Sequence, residues 1–186
     1  MLQMAAIVEV LLCWVVWSAA FFKPSRQAKG QQKVVRAPAS RWGIVLQTIG
    51  FACTWMYVRP DHFAKPAPAL IAGMILAPLA VALAWSAARH LGKQWRYEAA
   101  LSRDHELIRT GPYKWIRHPI YASMFGMLLA TLAAWTWWPM AIAAVLFFLA
   151  GTEVRVHAEE RLLSDRFPAE YAQYKKSTSA YIPFIR

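Results

Sequence analysis

The sequence is poor in acidic residues and in cysteine, and both shortages limit the chemistry that it can carry. It contains ten Asp and Glu against 21 Lys and Arg in 186 residues, and two cysteines. Cys13 and Cys53 lie in long apolar runs, where free cysteine is usually a small buried apolar residue. We therefore expect neither a disulfide nor a metal ligand from them. Among the ten acids only Glu9 and Asp61 precede position 98, so we expect charge-based chemistry in the C-terminal half.

Long apolar runs dominate the rest of the chain. Hydrophobic residues make up 58% of it, which is too apolar for an ordinary soluble domain. The runs cover 1–22, 42–58, 69–88 and 120–152, and no alternating pattern typical of a β-barrel is present. Because backbone polar groups in lipid must be satisfied internally, these runs predict transmembrane helices. No basic residue precedes the first run, which favours a retained span over a signal peptide.

The run 120–152 is too long for one span. Its 33 residues would extend about 50 Å as a helix, against a hydrocarbon core of about 30 Å. The interruption WTWWP at 135–139 places three Trp at an interface and Pro139 in the first turn of a new helix. We predict two short helices, 120–135 and 138–152, joined as a tight hairpin. The predicted fold is an all-α integral membrane protein with about five transmembrane helices and a cytoplasmic C-terminal helical tail.

The positive charges alternate between loops. Segments 23–41, 89–118 and 153–186 carry six, seven and six Lys and Arg, whereas 59–68 carries two. In this positive-inside pattern the net charge of +11 indicates topology and contact with anionic lipids, not nucleic-acid binding. The N-terminus would lie outside and the three rich segments in the cytoplasm.

We predict one membrane domain over 1–186, without internal repeats. Its first part, 1–88, would hold three spans with no catalytic signature. The second part, 89–186, would be the cofactor-binding and catalytic half, because it contains eight of the ten acids.

The segment RTGPYKWIRHPIYAS (109–123) combines a turn with a helix start. Gly-Pro marks the turn, and Pro119 suits the first helical position, with His118 before it as the N-cap. Arg117 and His118 would then lie at the positive end of a helix dipole, which suits a carboxylate or phosphate. The same residue types are also common where an ordinary helix enters a membrane. From the residues alone, both interpretations remain open.

A second group of charges follows the hairpin, in the segment 152–176. A continued helix would bring three side chains onto one face, namely Glu153, His157 and Glu160. Arg155 would lie one turn before Glu159, and Pro168 would begin a new short helix. A solvated helix with ion pairs also explains such charges, and the spacing matches no recognised metal-ligand motif, so we predict no metal site. Five acids among six cations in the tail 153–186 favour a polar pocket at the membrane surface.

The two segments together resemble the isoprenylcysteine carboxyl methyltransferase and phospholipid methyltransferase superfamily of integral membrane enzymes. The similarity covers about 91–185. It consists of LGKQW (91–95), HELIRTGPYKWIRHPIY (105–121), EE (159–160), EYAQYKK (170–176) and IPF (182–184). The tail departs from the family pattern at Ser177 and Ala180, where relatives often carry arginine.

The resemblance implies S-adenosylmethionine as the cofactor and a set of residues that bind it. These are His105, Leu107, Gly111, Tyr113, Arg117, His118, Pro119, Tyr121, Glu159 and Glu160. It also places Arg155 near the methyl acceptor. We predict Arg155 and Glu160 as catalytic residues, and Tyr171 and Tyr174 as substrate contacts.

The chemistry agrees with these residue types. Arg117 at the helix N-terminus suits the donor's carboxylate, and the two glutamates suit its ammonium or ribose hydroxyls. A carboxylate acceptor is already ionised, so alignment and exclusion of water would suffice. An amine acceptor would need a base, for which Glu160 or His157 are candidates.

We therefore predict methyl transfer to a lipophilic or lipid-modified substrate, most simply a carboxylate of the isoprenylcysteine type. The expected location is the cytoplasmic face of a bacterial inner membrane, in contact with membrane lipids and without a nucleic-acid partner. Three alternatives remain: a phospholipid amine N-methyltransferase, a membrane sterol-type NADPH reductase, and a non-catalytic membrane interaction protein.

Overall fold

The computed structural model describes residues 1–22, 34–55, 64–96, 99–102 and 105–182. This part contains six α-helices: α1 (Leu2–Ala19), α2 (Ser40–Thr54), α3 (Ala67–Leu91), α4 (Pro119–Ala134), α5 (Trp138–Arg166) and α6 (Pro168–Ser177). A 3₁₀-helix, Gly92–Gln94, follows α3, and another, Gly111–Lys114, precedes α4. Most of the first basic loop (23–33), much of the second loop (56–63) and two residues of the IPF motif (183–184) lie outside the described residues.

The helices have the character of membrane spans. Within the described residues, α1, α3 and α5 are long and apolar enough to cross a membrane. Large apolar side chains such as Val15, Leu79 and Leu146 cover the outer surface, as expected where a bundle faces lipid. Helices α2 and α4 have 15 and 16 residues, or about 22–24 Å, which is shorter than a hydrocarbon core of about 30 Å. The chain is an integral membrane protein, and the count of five spans stays a prediction.

Small residues set the close packing of the bundle. Helix α3 packs on α1 and on α4, and α2 packs on α5. Ala77, Ala80 and Ala84 of α3 are buried in these contacts, which lets the helix backbones approach closely, as is typical in membranes. Polar contacts add to the packing: Nε1 of Trp14 in α1 donates to Oγ1 of Thr131 in α4 at 3.0 Å.

The short connection of the predicted hairpin is present, but its two helices do not pack mainly against each other. Trp135–Trp137 separate α4 from α5, and Pro139 lies in the first turn of α5. The two helices nevertheless make only a small contact with each other, because α4 packs mainly on α3 and α5 mainly on α2. The chain reversal therefore joins two parts of the bundle.

A small two-stranded sheet, which the sequence did not predict, accompanies the helices. Strand β1 (Val34–Arg36) pairs antiparallel with β2 (Ala100–Ser102), in the register Val35 opposite Leu101. Hydrophobic periodicity could not reveal strands of three residues. The pairing connects the loop before α2 with the loop after α3, at the end of the bundle where the charged segments converge.

The boundaries at this end follow the sequence signals. His118 precedes α4, and Pro119, which has no N–H to leave unsatisfied, is its first residue. Helix α5 continues beyond the apolar run as predicted, ends at Arg166, and is followed by α6 from Pro168. The start of α4 at Pro119 places Arg117 just before this helix. The extension of α5 beyond the apolar run brings its acidic residues back toward Arg117.

Candidate functional site

A cavity of about 340 Å³ lies at this end of the bundle. Its wall is built from five parts of the chain: the end of α1, the segment 91–101, the segment 105–108, the loop and first turns of α4, and the polar parts of α5 and α6. It brings together residues that are far apart in sequence, which is typical of a binding site.

Eleven of the thirteen predicted site residues line this cavity. They are His105, Leu107, Tyr113, Arg117, His118, Pro119, Tyr121, Arg155, Glu159, Tyr171 and Tyr174. The other two, Gly111 and Glu160, do not line it. The predicted roles of all thirteen stay predictions, but their placement separates the residues that face the cavity from those that support it.

Glu160 connects three basic side chains behind the cavity wall. Its Oε1 accepts from Nε of Arg117 at 3.1 Å and lies 3.3 Å from Nε2 of His118. Its Oε2 accepts from Nζ of Lys175 in α6 at 2.6 Å. Hydrogen bonds between charged groups are the strong ones, so Glu160 holds the start of α4, α5 and α6 together.

The C-terminal tail fixes the other side of Arg117. The Arg117 N–H donates to the carbonyl of Ser179 at 2.8 Å, and the His118 N–H donates to the carbonyl of Ala180 at 3.0 Å. Nη1 of Arg117 also donates to the carbonyls of Lys175 and Thr178. These tail groups are backbone carbonyls, which any residue supplies. The departures at positions 177 and 180 therefore leave this contact intact.

Glu159 is the one of the two adjacent glutamates that lines the cavity. It accepts a hydrogen bond from the hydroxyl of Tyr121, one turn into α4. Nδ1 of His118 lies 3.8 Å from its Oε2. Adjacent glutamates on α5 thus point to different partners: Glu160 binds the supporting cations, and Glu159 lies with Tyr121 at the wall.

Arg155 supplies a cation on the same wall. Its guanidinium carbon lies 4.9 Å from the centre of the Tyr121 ring, in the range of a cation–π contact. Nη1 of Arg155 donates to Oε1 of Gln47 in α2 at 2.8 Å. Gln47 was not predicted, because a single glutamine in an apolar run carries no motif.

His105 has an unusual environment for a histidine. Burial, followed by the positive charges of Arg96 and Arg166, lowers its pKa from 6.5 to about 4. Its Nδ1 is buried and has no hydrogen-bond partner within the described part of the chain. A neutral imidazole at the cavity wall with an unsatisfied nitrogen can serve a polar ligand group.

Three buried tyrosines also form part of the cavity wall. Burial raises the pKa of Tyr113 above its usual value, and the nearby Glu159 carboxylate adds to the shift. The Tyr174 hydroxyl donates to the carbonyl of Tyr113 at 2.5 Å, and burial raises the pKa of Tyr174 to about 12. Burial and the Glu160 carboxylate likewise raise the pKa of Tyr171. All three phenols therefore stay protonated and neutral at physiological pH.

Gly111 shapes the loop before α4. Its φ is +60°, and a Cβ there would lie 2.4 Å from the ring of His90 at the end of α3. Only glycine fits such a position without strain. The prediction for Gly111 therefore has a structural explanation, a turn that packs the GPY segment against α3.

Three aromatic residues that were not predicted as site residues form the apolar wall. Trp17 of α1 and Phe21, two residues beyond its end, line the cavity with Trp95 of the LGKQW motif. The rings of Phe21 and Trp95 stack at 5.4 Å, and those of Trp17 and Phe21 meet edge to face at 5.0 Å. In an all-apolar helix these residues give no signal, because lipid-facing and cavity-facing aromatics have the same sequence pattern.

Glu153 and His157, which the sequence placed on one helix face with Glu160, do not line the cavity. His157 is 80% exposed, and its Nδ1 lies 3.6 Å from Glu153. Glu153 in turn accepts a hydrogen bond from the Tyr181 hydroxyl at 2.7 Å. Among the described residues no group of three His, Cys, Asp or Glu side chains could hold a metal ion.

Fold and site together define a helical integral membrane protein with a charged, aromatic-walled pocket at one end of its bundle. The sequence pattern that defines the isoprenylcysteine carboxyl methyltransferase family matches residues 71–165, just over half of the chain. The chain belongs to this family, and the resemblance seen in its C-terminal motifs is confirmed.

Three curated relatives show how strong the similarity is and how much of each chain it covers. The chain is 36% identical over 83 residues to protein-S-isoprenylcysteine O-methyltransferase of Saccharomyces cerevisiae, covering 44% of the chain and 34% of the relative. It is 30% identical over 124 residues to the enzyme of that name from Tribolium castaneum, covering 62% and 39%. It is 41% identical over 78 residues to methanethiol S-methyltransferase 1 of Bradyrhizobium diazoefficiens, covering 40% and 25%. The chain therefore spans a quarter to two fifths of the length of these relatives.

Proposed function

We propose that the chain is an S-adenosylmethionine-dependent methyltransferase that acts on a lipophilic acceptor at the membrane surface. The main support is convergence: eleven residues implied by the family motifs line one cavity, although they come from 105–121, α5 and α6. Family membership agrees, because relatives over this region are named as O- and S-methyltransferases.

The cavity fits a donor that carries charges of both signs. S-adenosylmethionine, when bound, supplies an electrophilic methyl group on a sulfonium, and it also carries a carboxylate and an ammonium. Arg117 and Glu159 provide the complementary charges at the wall. The buried Nδ1 of His105, unpaired among the described residues, is available to a further polar group. We assign donor binding to these residues together with Tyr113 and Tyr121.

A carboxylate is the acceptor that the geometry favours. It is ionised at neutral pH, so the chain need only orient it and exclude water. Arg155 provides the orienting cation, and the aromatic wall formed by Trp17, Phe21 and Trp95 provides an apolar surface for a prenyl or similar group. We therefore propose a carboxylate O-methyltransferase that acts on a lipid-modified substrate of the isoprenylcysteine type.

An amine acceptor is less compatible with the site. It would have to lose a proton, and neither of the candidate bases, Glu160 and His157, lines the cavity. Glu160 is bound by Arg117, His118 and Lys175. We propose that Glu160 positions these three basic side chains and takes no part in proton transfer. Phospholipid amine N-methylation is therefore our second candidate function.

We also propose the topology that the charges predict. Segments 89–118 and 153–186, which build most of the pocket, contain 13 of the 21 Lys and Arg. The positive-inside rule then places the pocket on the cytoplasmic side of a bacterial inner membrane, with five helices crossing it. Expected partners are the lipophilic substrate and membrane lipids.

Calorimetric titration of the purified protein in detergent with S-adenosylmethionine tests the proposal. We expect saturable binding that Arg117→Ala abolishes. Arg109→Ala is the matched control, because Arg109 is exposed in the same segment and pairs with Glu170. Transfer of a radiolabelled methyl group to N-acetyl-S-farnesylcysteine, phosphatidylethanolamine vesicles or a small alkanethiol then identifies the acceptor. Absence of donor binding, with binding of NADPH instead, would contradict the proposal.

A further inference from the structure

Gln47 is a buried amide in the middle of an apolar helix. Its side chain is 2% exposed, in the part of α2 that faces α5. A polar group in such a place is unfavourable unless it is hydrogen-bonded. Gln47 is fully engaged at both ends: Nε2 donates to Oγ1 of Thr152 at 2.8 Å, and Oε1 accepts from Nη1 of Arg155 at 2.8 Å.

The two contacts also determine which way the amide points. The guanidinium of Arg155 has donors and no acceptor, so only the amide oxygen can face it. The Thr152 hydroxyl can accept a hydrogen bond, and it receives one from the amide nitrogen. The amide therefore has a single favourable orientation between Thr152 and Arg155, one turn apart on α5.

Two glycines allow the short glutamine side chain to reach Arg155. A Cβ at Gly43 would lie 2.4 Å from Cγ of Arg155 and 2.6 Å from the carbonyl oxygen of Gly151. A Cβ at Gly151 would lie 2.8 Å from the backbone nitrogen of Gln47. Helices α2 and α5 are thus in backbone contact at this point. Gly43 and Gln47 are one helical turn apart, so both face the same seam.

The same guanidinium of Arg155 also lies against the site. Its guanidinium carbon is 4.9 Å from the centre of the Tyr121 ring, and both residues line the cavity. A free arginine side chain samples many rotamers, and this entropy is lost when the side chain is held in one position. An acceptor fixed on a neighbouring helix selects one of these rotamers before any substrate arrives.

We propose that Gln47 is a positioning residue for the methyl-transfer site, which acts by holding the Arg155 guanidinium over Tyr121 at the acceptor end of the cavity. This inference rests on the proposed function for its catalytic meaning. It assigns a functional contribution to α2, in the half of the chain that carries no family motif. The competing explanation is that Gln47 only joins α2 to α5.

Two substitutions separate these explanations. Gln47→Leu removes both hydrogen bonds while preserving size, and Gln47→Glu keeps an acceptor for Arg155 and for the Thr152 hydroxyl. Thr48→Val is the matched control, because Thr48 is exposed on the same helix and its hydroxyl bonds to its own backbone at Ile44. We expect Gln47→Leu to lower kcat/KM for N-acetyl-S-farnesylcysteine about 10- to 100-fold, as for the loss of a charged hydrogen bond. Affinity for S-adenosylmethionine should change less than about threefold on the same basis, since Gln47 does not line the cavity.

Gln47→Glu should recover most of the activity, because its carboxylate keeps the acceptor for Arg155. A purely structural role predicts instead that Gln47→Leu loses thermal stability and donor affinity together with activity. Equal kinetics of Gln47→Leu and Thr48→Val would overturn the proposal. So would a loss of donor affinity and thermal stability in parallel with activity.

A spectroscopic measurement tests the contact between Gln47 and Arg155 without depending on enzyme activity. In protein labelled with ¹⁵N-arginine, the Nε–H resonance of Arg155 is identified by its absence from Arg155→Lys. We expect it to be sharp in the parent protein and in Gln47→Glu, and broadened in Gln47→Leu. An unchanged resonance in Gln47→Leu contradicts the positioning role. If the parent protein transfers no methyl group to any probe, the proposed function fails, and this resonance still decides whether Gln47 holds Arg155.

Discussion

Arg117 and Glu160 are 43 residues apart in the sequence, and Nε of the first lies 3.1 Å from Oε1 of the second. Both side chains are largely buried, so the pair is shielded from solvent. It joins the segment before α4 to the polar end of α5, behind the cavity wall. The geometry of the proposed donor site therefore depends on this ion pair.

Removal of Glu160 should destabilise the protein. Glu160→Ala leaves Arg117 and Lys175 without their shared carboxylate, and the loss of one partner of a buried pair typically costs about 3 kcal/mol. Unfolding in detergent, followed by circular dichroism with increasing denaturant, measures the change. Glu153→Ala is the control on the same helix, where the exposed carboxylate should contribute less than about 1 kcal/mol. Equal stability of the two variants would show that Glu160 is not a central support.

A side chain at position 111 should disrupt the turn before α4. Gly111→Ala places a Cβ 2.4 Å from the His90 ring and also strains the positive φ. We expect lower thermal stability and weaker donor binding, because the loop holds Tyr113 in the cavity wall. The double variant Gly111→Ala/His90→Ala should recover part of the loss, leaving a backbone term of about 1 kcal/mol. No recovery in the double variant would exclude the steric explanation.

Acidification should weaken the fold through His105. Its pKa in the folded protein is about 4 and its ordinary value is 6.5, so between these values the unfolded chain binds more protons. The free energy of unfolding is therefore unaffected by His105 above about pH 6.5 and decreases as the pH falls toward 4. The slope from this one group is at most about 1.4 kcal/mol per pH unit.

Stability measured from pH 7.5 to 4.5 tests this expectation. The difference between the parent protein and His105→Leu isolates the contribution of His105, and it should grow as the pH falls. His157→Leu, at an exposed histidine, should leave the slope in place. A slope that persists in His105→Leu would assign the acid sensitivity to another group.

Loss of the aromatic wall should impair the acceptor more than the donor. Phe21→Ala removes the ring that stacks on Trp95 and meets Trp17. Because this wall is apolar and carries no charged group for the donor, KM for N-acetyl-S-farnesylcysteine should rise about tenfold, as for about 1.4 kcal/mol of lost apolar contact. The donor dissociation constant should stay nearly constant. Val15→Ala, on the lipid-exposed face of α1, is the control; equal effects of both variants would show that the wall does not contact the acceptor.

The sequence alone determined the main helices and the family. Apolar runs located the membrane helices, the WTWWP interruption located the chain reversal before Pro139, and prolines at 119 and 168 located two helix starts. These signals are local, because hydrophobic length and proline stereochemistry act within a few residues. The motifs from His105 to Glu160 identified the family because their order and spacing are specific.

Only the tertiary structure decided which of these residues share a surface. Adjacent Glu159 and Glu160 look alike in the sequence, yet one faces the cavity with Tyr121 and the other binds Arg117 behind it. Gln47 and Phe21 acquire roles only through helices that approach from distant parts of the chain. The physical reason is that an apolar helix has no distinguishing pattern on its lipid-facing and protein-facing sides. Packing against neighbouring helices therefore decides which of its side chains enter the site.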